Sequence, residues 1–285
     1  DERLDKIAAI VEPKKVIPSA FEFLDIAGLV EDAHQGAGLG NKFLSHIREV
    51  DAIMFLLRDF ESQEVAEAGA ISPQEDLETL KTELVLKDLE TLNKIAKQKA
   101  NTDEEKVRQK TAEKMIPALE KGALAKDVDL MEDEEEASKG FFLLTNKPMM
   151  IVINVSEEAD FEEKEKDYKE FDPIITSAKF ESDLQQLSEE EKDAFLNDQS
   201  YQSSLDKIIT RAYKLLNLIT FYTIKGGKEA RAWPIEKGAT VVQAAGKVHT
   251  DFADNFVKAE VVSYSDFIDT NGWQESQEQG KLRLE

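Results

Sequence analysis

Residues 20–49 read AFEFLDIAGLVEDAHQGAGLGNKFLSHIRE, and the fold is decided here. The opening AFEFLD alternates and carries two phenylalanines, which predicts a strand over 20–25. That strand ends at Asp25 and runs into Ile26-Ala27-Gly28, then into a loop punctuated by Gly36, Gly38 and Gly40. NKFLSHIRE at 41–49 is expected as a short helix, and DAIMFLLR at 51–58 is an apolar run of buried-strand length. Strand, glycine-rich loop, helix and buried strand in succession predict a parallel α/β sheet.

Working outward, PMMIVIN (148–154) and DPIITS (172–177) are two further strands, and SLDKIITRAYKLL (204–216) is an amphipathic helix. Between the two halves of this pattern lies a different texture. Leu77, Leu80, Leu84, Leu89, Leu92 and Ile95 form one helical stripe. A polar turn follows at Asn101-Thr102-Asp103, and Val107, Thr111, Met115 and Leu119 form a second stripe. Two helices joined by a short turn predict an antiparallel hairpin. Its stretch 81–114 holds nine Lys/Arg against seven Asp/Glu, a slight positive balance whose simplest reading is solvated helix faces. LDKIAAIV at 4–11 has helical spacing closed by Pro13 and Pro18. Beyond 217 the chain becomes β-rich. TFYTIK and EARAW flank a Gly226-Gly227 turn, a helix is expected at 239–248, and a strand at 256–264. These pieces suggest a small β-grasp-like module.

The chemistry sits where strands end. A strand-ending Asp with Gly three residues on has the form of the Walker B and switch II element of a P-loop nucleotide hydrolase. There Asp25 would hold Mg²⁺, usually through a water, and Gly28 would bring its N–H to the γ-phosphate. Asn154-Val155-Ser156-Glu157 follows the strand at 148–154, and Ser177-Ala178-Lys179 follows the strand at 172–177. GTP-specific proteins place Asn-Lys-x-Asp at the first of these positions. Val155 in place of Lys removes the cation over the base, and the longer Glu157 crowds a guanine. Asn can donate to N7 and accept from the 6-amino group of adenine, its usual pairing with that base. Each tripeptide alone decides little; three in order, each just after a strand, point to a purine-nucleotide site. Asp25, Gly28, Asn154 and Glu157 are expected to converge at the carboxyl ends of neighbouring strands.

The string DIAGLVEDAHQGAGLGNKFLSHIREVDAI, taken with these motifs, resembles the switch II region of the YchF or Obg-like ATPases within the Obg-related GTPases. RAWPIEKGATVVQAAGKVHTDFADNFVKAEVVSYSDFI resembles that family's C-terminal stretch. The resemblance implies an α/β G-domain with a parallel sheet over 1–60 and 147–216, a helical coiled-coil insertion at 61–146, and a TGS domain of β-grasp fold at 217–285. It implies an Mg²⁺-dependent ATPase that prefers ATP to GTP and engages the ribosome through the hairpin and the TGS domain. Nucleotide contacts would come from Asp25, Gly28, Asn154, Val155, Glu157, Ser177, Ala178 and Lys179. Three departures follow. The sequence holds no G-x-x-x-x-G-K-[ST], which the family carries upstream of this stretch. The family continues past Glu285 with a strand that closes the β-grasp sheet; without it an edge is expected to stay open. Some members have a histidine proposed to position water after the 51–58 strand. Residues 60–73 contain none, with Ala66 nearest its place, so no catalytic residue is assigned.

Bulk composition excludes several classes. The net charge of −23 argues against a chain that coats nucleic acid non-specifically. Acidic runs at 127–136, 157–170 and 189–193 read as solvated surface. There is no cysteine, so disulfides and thiolate metal sites are excluded. His34, His46 and His249 show no ligand spacing, and His249 before Asp251 reads as a hydrogen-bonded helix end. No window is long and apolar enough for a membrane span, and the expected location is the cytoplasm. Sequence-specific DNA is not expected as a partner. The alternative function is a nucleotide-free module that binds the ribosome or another partner.

Overall fold

Ser72 accepts the Glu75 N–H at 3.3 Å and Pro73 occupies the first turn, so the longest helix among the described residues begins where its orphan amides find an acceptor. The computed structural model describes residues 2–25, 47–61, 72–188, 191 and 203–285. The chain divides into two compact units: Leu24–Leu215, and residues up to Phe23 together with Leu216–Glu285.

The Leu24–Leu215 unit is built on a parallel sheet. Strand β2 (Ile53–Asp59) pairs with β3 (Met149–Val155), and β3 pairs with β4 (Ile174–Thr176). Strand β1 (Lys15–Ile17) belongs to the other unit. Val152, Ile153 and Val155 are all buried, as expected for a strand covered on both faces. Helix α2 (Pro73–Ala96) connects two hydrophobic clusters. Its Leu77 and Leu84 join Phe55, Leu57, Ile153 and Ile175 of the sheet. Its Val85 and Leu92 join Ala112, Met115 and Leu119 of α3 (Asp103–Leu119). The two predicted helical stripes therefore pack on each other, while Leu77 and Leu84 reach the sheet core of the same Leu24–Leu215 unit. Thr102 and Glu105 form a reciprocal capping box at the start of α3. The first acidic run is largely helical, as α4 (Glu132–Lys139).

Asp88 ties the hairpin to the chain that returns to the sheet. It is 1% exposed, and its carboxylate accepts the Leu144 N–H (2.7 Å), the Thr145 N–H (2.8 Å) and the Thr145 hydroxyl (2.6 Å). Burial nevertheless pushes its pKa above the ordinary aspartate value. After β3 come α5 (Phe161–Asp167), β4, α6 (Ala178–Gln185) and α7 (Ser204–Leu215).

In the second unit, β5 (Leu218–Lys225) and β6 (Glu229–Glu236) form an antiparallel hairpin. Its turn needs positive φ at Gly226 (28°) and Gly227 (64°), which explains the glycine pair. β1 (Lys15–Ile17) adds to β6 in parallel, and α1 (Glu2–Val11) packs Leu4 against Ala230 and Ala232. By packing, the N-terminal residues through Phe23 cluster with the C-terminal unit, whereas the sequence reading placed 1–60 in the G-domain. Helices α8 (Val241–Val248) and α9 (Thr250–Asp254) follow. Then come β7 (Glu260–Val261), α10 (Tyr264–Asp269), α11 (Trp273–Glu278) and β8 (Arg283–Leu284), which pairs with β7.

Two expected strands change. AFEFLD at 20–25 joins no ladder among the described residues, and Phe23 and Leu24 are exposed. Alternation readies a segment for pairing without supplying a neighbour. The strand expected at 256–264 shortens to the two residues that β8 pairs, and Ser263 then caps α10. The helix expected at 41–49 is described only at 47–49, where it is helical.

Candidate nucleotide-base site

The carboxyl ends of β3 and β4 bring together the two motifs expected to contact a base. Asn154 and Thr176 are register partners, so the loops after them start side by side. The Ala178 N–H donates to Asn154 Oδ1 at 2.9 Å. A backbone N–H can only donate, so this contact fixes the orientation of the Asn154 amide. Its Nδ2 is left without a partner among the described residues. The sequence reading used both halves of this amide on adenine; the structure commits the oxygen to the loop and leaves the donor half open. Lys179 Nζ donates to Glu157 Oε1 at 2.7 Å, a second bond between the same two loops. That hydrogen bond, and then the charge of Glu157, raise the Lys179 pKa.

Other residues of the motifs support this arrangement from beneath. Ser177 is buried, and its hydroxyl accepts the Phe180 N–H at 3.4 Å to cap α6, so S-A-K is also a helix start. The Thr176 and Ser204 hydroxyls lie 2.6 Å apart. Glu181 in turn accepts from the Ser204 N–H (2.6 Å) and from the Ser203 and Ser204 hydroxyls. This network fixes α6 and α7 under the S-A-K loop. The sequence reading missed it, because its members lie apart in the chain.

Val155 stands differently. It is 2% exposed and belongs to the sheet core, so its side chain is not on the face that Asn154 and Glu157 share with solvent. The cation nearest these motifs comes from the neighbouring loop, where Lys179 pairs with Glu157. Asp59, at the end of β2, is held by Lys164 Nζ at 2.7 Å. Tyr168 lies against it: burial first, and then the hydrogen bond to Asp59, push the Tyr168 pKa up to about 12.

The phosphate end is less defined. Asp25 is exposed and makes no hydrogen bond or ion pair among the described residues. Gly28 and Ala66 lie outside the described residues. Among the described residues no group of three or more His, Cys, Asp or Glu is arranged to hold a metal. One carboxylate is a donor set suited to Mg²⁺ that arrives with phosphates and keeps its waters, not to a cage made by protein alone. His249 Nδ1 accepts the Asp251 N–H at 3.1 Å and caps α9, the helix-end role expected of it. No described helix is long and apolar enough to cross a membrane.

A parallel sheet whose strand ends carry N-x-x-E and S-A-K in contact defines the α/β class of P-loop G-domains, here with a helical hairpin and a C-terminal mixed α/β unit. Comparison narrows this. Residues 4–94 match the family described as 50S ribosome-binding GTPase. Residues 218–285 match the YchF-GTPase_C family, described as "Protein of unknown function (DUF933)". The "Ribosome-binding ATPase YchF" of Pasteurella multocida is 41% identical over 299 residues, covering 100% of this chain and 82% of that protein. Its counterpart from Bacillus subtilis is 40% identical over 305 residues with the same coverage. A solved structure of the Schizosaccharomyces pombe YchF GTPase superposes with a TM-score of 0.84 at 35% identity, covering 100% of this chain and 81% of that one. The chain belongs to the YchF family.

Proposed function

We propose that the protein binds and hydrolyses ATP in preference to GTP and uses the cycle as a conformational switch on the ribosome. The observation that carries this reading is the pair of bonds joining the base-reading loops, Ala178 N–H to Asn154 and Lys179 to Glu157. They place an amide donor with no partner among the described residues beside a carboxylate acceptor. Adenine offers the complement, an N7 acceptor beside a 6-amino donor. Ser177 and Ala178 support the pocket by shaping the loop. Val155 contributes through its strand and not as a cover. Asp25 would hold Mg²⁺ through water and Gly28 would meet the γ-phosphate. When bound, the ion neutralises charge on the β- and γ-phosphates.

The relatives' names speak of ribosome binding and ATPase activity, which supports the same roles here. The contact surface would lie on the hairpin and on the C-terminal unit, read as a TGS domain of β-grasp fold. A ribosomal partner implies a cytoplasmic location. The test is equilibrium binding of ATP and GTP to the intact protein. Tighter ATP binding is expected, with the gap narrowed in Glu157→Asp. An unchanged preference in that variant removes the base-reading argument. Val155→Lys is a poor companion change, because it would bury an ammonium in the sheet core.

The alternative reading is a module that contacts the ribosome or another partner. Under it the chain binds the ribosome without nucleotide. Sedimentation with ribosomes, with and without ATP, separates the two: only the switch requires the nucleotide to change the bound fraction.

A further inference from the structure

The acidity of this protein is unevenly divided between its two units. Residues 24–215 hold 24 Lys/Arg against 44 Asp/Glu, while 1–23 and 216–285 together hold 12 against 15. In this nearly balanced unit the sheet gathers cations at one end. The Lys14 N–H donates to Gly227 O at 3.3 Å, which seats the start of β1 beside the β5–β6 turn. Lys15 is the register partner of Glu229, and Glu229 is the partner of Lys225 across the hairpin. The Lys228 N–H donates to Lys225 O at 2.8 Å and closes the turn. Lys14, Lys15, Lys225 and Lys228 thus share one end of the sheet. All four are exposed, and no ion pair engages any of them among the described residues. The carboxylates nearest along the chain are Glu12 and Glu229, so positive charge prevails at this end.

The chemistry of this end selects among anionic partners. Between Lys225 and Lys228 stand only Gly226 and Gly227, and Lys14 and Lys15 are adjacent, so no apolar side chain interrupts either pair. Lysine is depleted in protein–protein interface cores, which are built on aromatic and other large anchors. It is a common donor to phosphates, which it meets as a point charge on a flexible stem. Unpaired lysines around a glycine turn therefore fit a phosphate backbone better than an acidic protein surface.

We propose that Lys14, Lys15, Lys225 and Lys228 form a docking surface for the phosphate backbone of RNA, through which the C-terminal unit meets the ribosome. This rests on the ribosomal part of the proposed function and is independent of the nucleotide preference. Backbone contacts carry no sequence information, so affinity is expected to be indifferent to RNA sequence and steeply dependent on salt.

The experiment measures binding of the intact protein to ribosomes and to protein-free ribosomal RNA over a range of potassium chloride concentrations. One variant carries Lys14→Gln, Lys15→Gln, Lys225→Gln and Lys228→Gln together, and a second carries arginine at the same four positions. Lys166→Gln, at an exposed position on α5, controls for loss of positive charge elsewhere. In the glutamine variant, binding to both probes is expected to weaken about tenfold or more near physiological salt. The slope of log affinity against log salt is expected to flatten by roughly one for each lysine removed. The arginine variant and Lys166→Gln are expected to bind as the unsubstituted protein does. If the glutamine variant keeps its affinity and slope for ribosomes, the inference is overturned while the ribosomal reading stands. If it loses ribosomes but keeps protein-free RNA, the surface serves an acidic protein and the inference is again overturned. If the unsubstituted protein binds neither probe, the ribosomal reading fails and this inference fails with it.

Discussion

At the scale of the residue, the most consequential side chains are those whose polar atoms are already committed. Asp88 is the sharpest case, a carboxylate in the interior that three donors of the 144–145 turn require. Asp88→Ala is expected to cost about 3 kcal/mol, since it leaves those donors without an acceptor. Chemical denaturation with urea checks it. Its raised pKa also sets a sign. A group whose folded pKa exceeds its unfolded value contributes stability that is fully present below the unfolded pKa and lost as pH rises through the folded one. Tyr168 follows the same rule at alkaline pH, where the folded value is about 12 against a reference of 10.0. Stability is therefore expected to fall as pH rises from about 10 towards 12. Tyr168→Phe is expected to flatten that part of the profile, as read by thermal melts across the range. A profile of unchanged slope rules out Tyr168 as its source.

At the scale of the element, α2 matters most, because one helix supplies two cores. Its leucine stripe was legible in sequence as a hairpin seam, and the seam is there. Periodicity alone did not show that Leu77 and Leu84 leave the hairpin and pack on the sheet. A 3.6-residue pattern reports which face is apolar, not what covers it. Leu92→Ala, at a side chain with no exposure, is expected to cost about 3 kcal/mol by emptying the hairpin core. The cap at the hairpin turn is worth less. Thr102→Ala is expected to cost about 1 kcal/mol and to raise amide exchange in the first turn of α3. Equal exchange rates in both proteins would show that the capping box does not hold this end.

At the scale of the whole molecule, charge and connectivity decide the behaviour. A net charge of −23 repels itself in any compact state, so added salt is expected to raise the melting temperature. Thermal melts in increasing sodium chloride check this, and a flat response would show that surface ion pairs already balance the repulsion. The division of the chain was only partly legible. Strand positions at 53–59, 149–155 and 174–176, the helical hairpin and the Gly226-Gly227 turn could be read directly, because each is a local pattern of hydrophobic spacing or turn chemistry. The adjacency of the N-x-x-E and S-A-K loops could be read as well, since short loops after parallel strands place them by chain order alone. The sequence by itself therefore determined the class of fold and the two motifs that meet at the strand ends. Only the tertiary structure decided that residues through Phe23 join the C-terminal unit, that AFEFLD joins no strand ladder among the described residues, that Val155 turns inward and that Lys179 holds Glu157. Those outcomes depend on which distant segment lies alongside, and no local pattern carries that information.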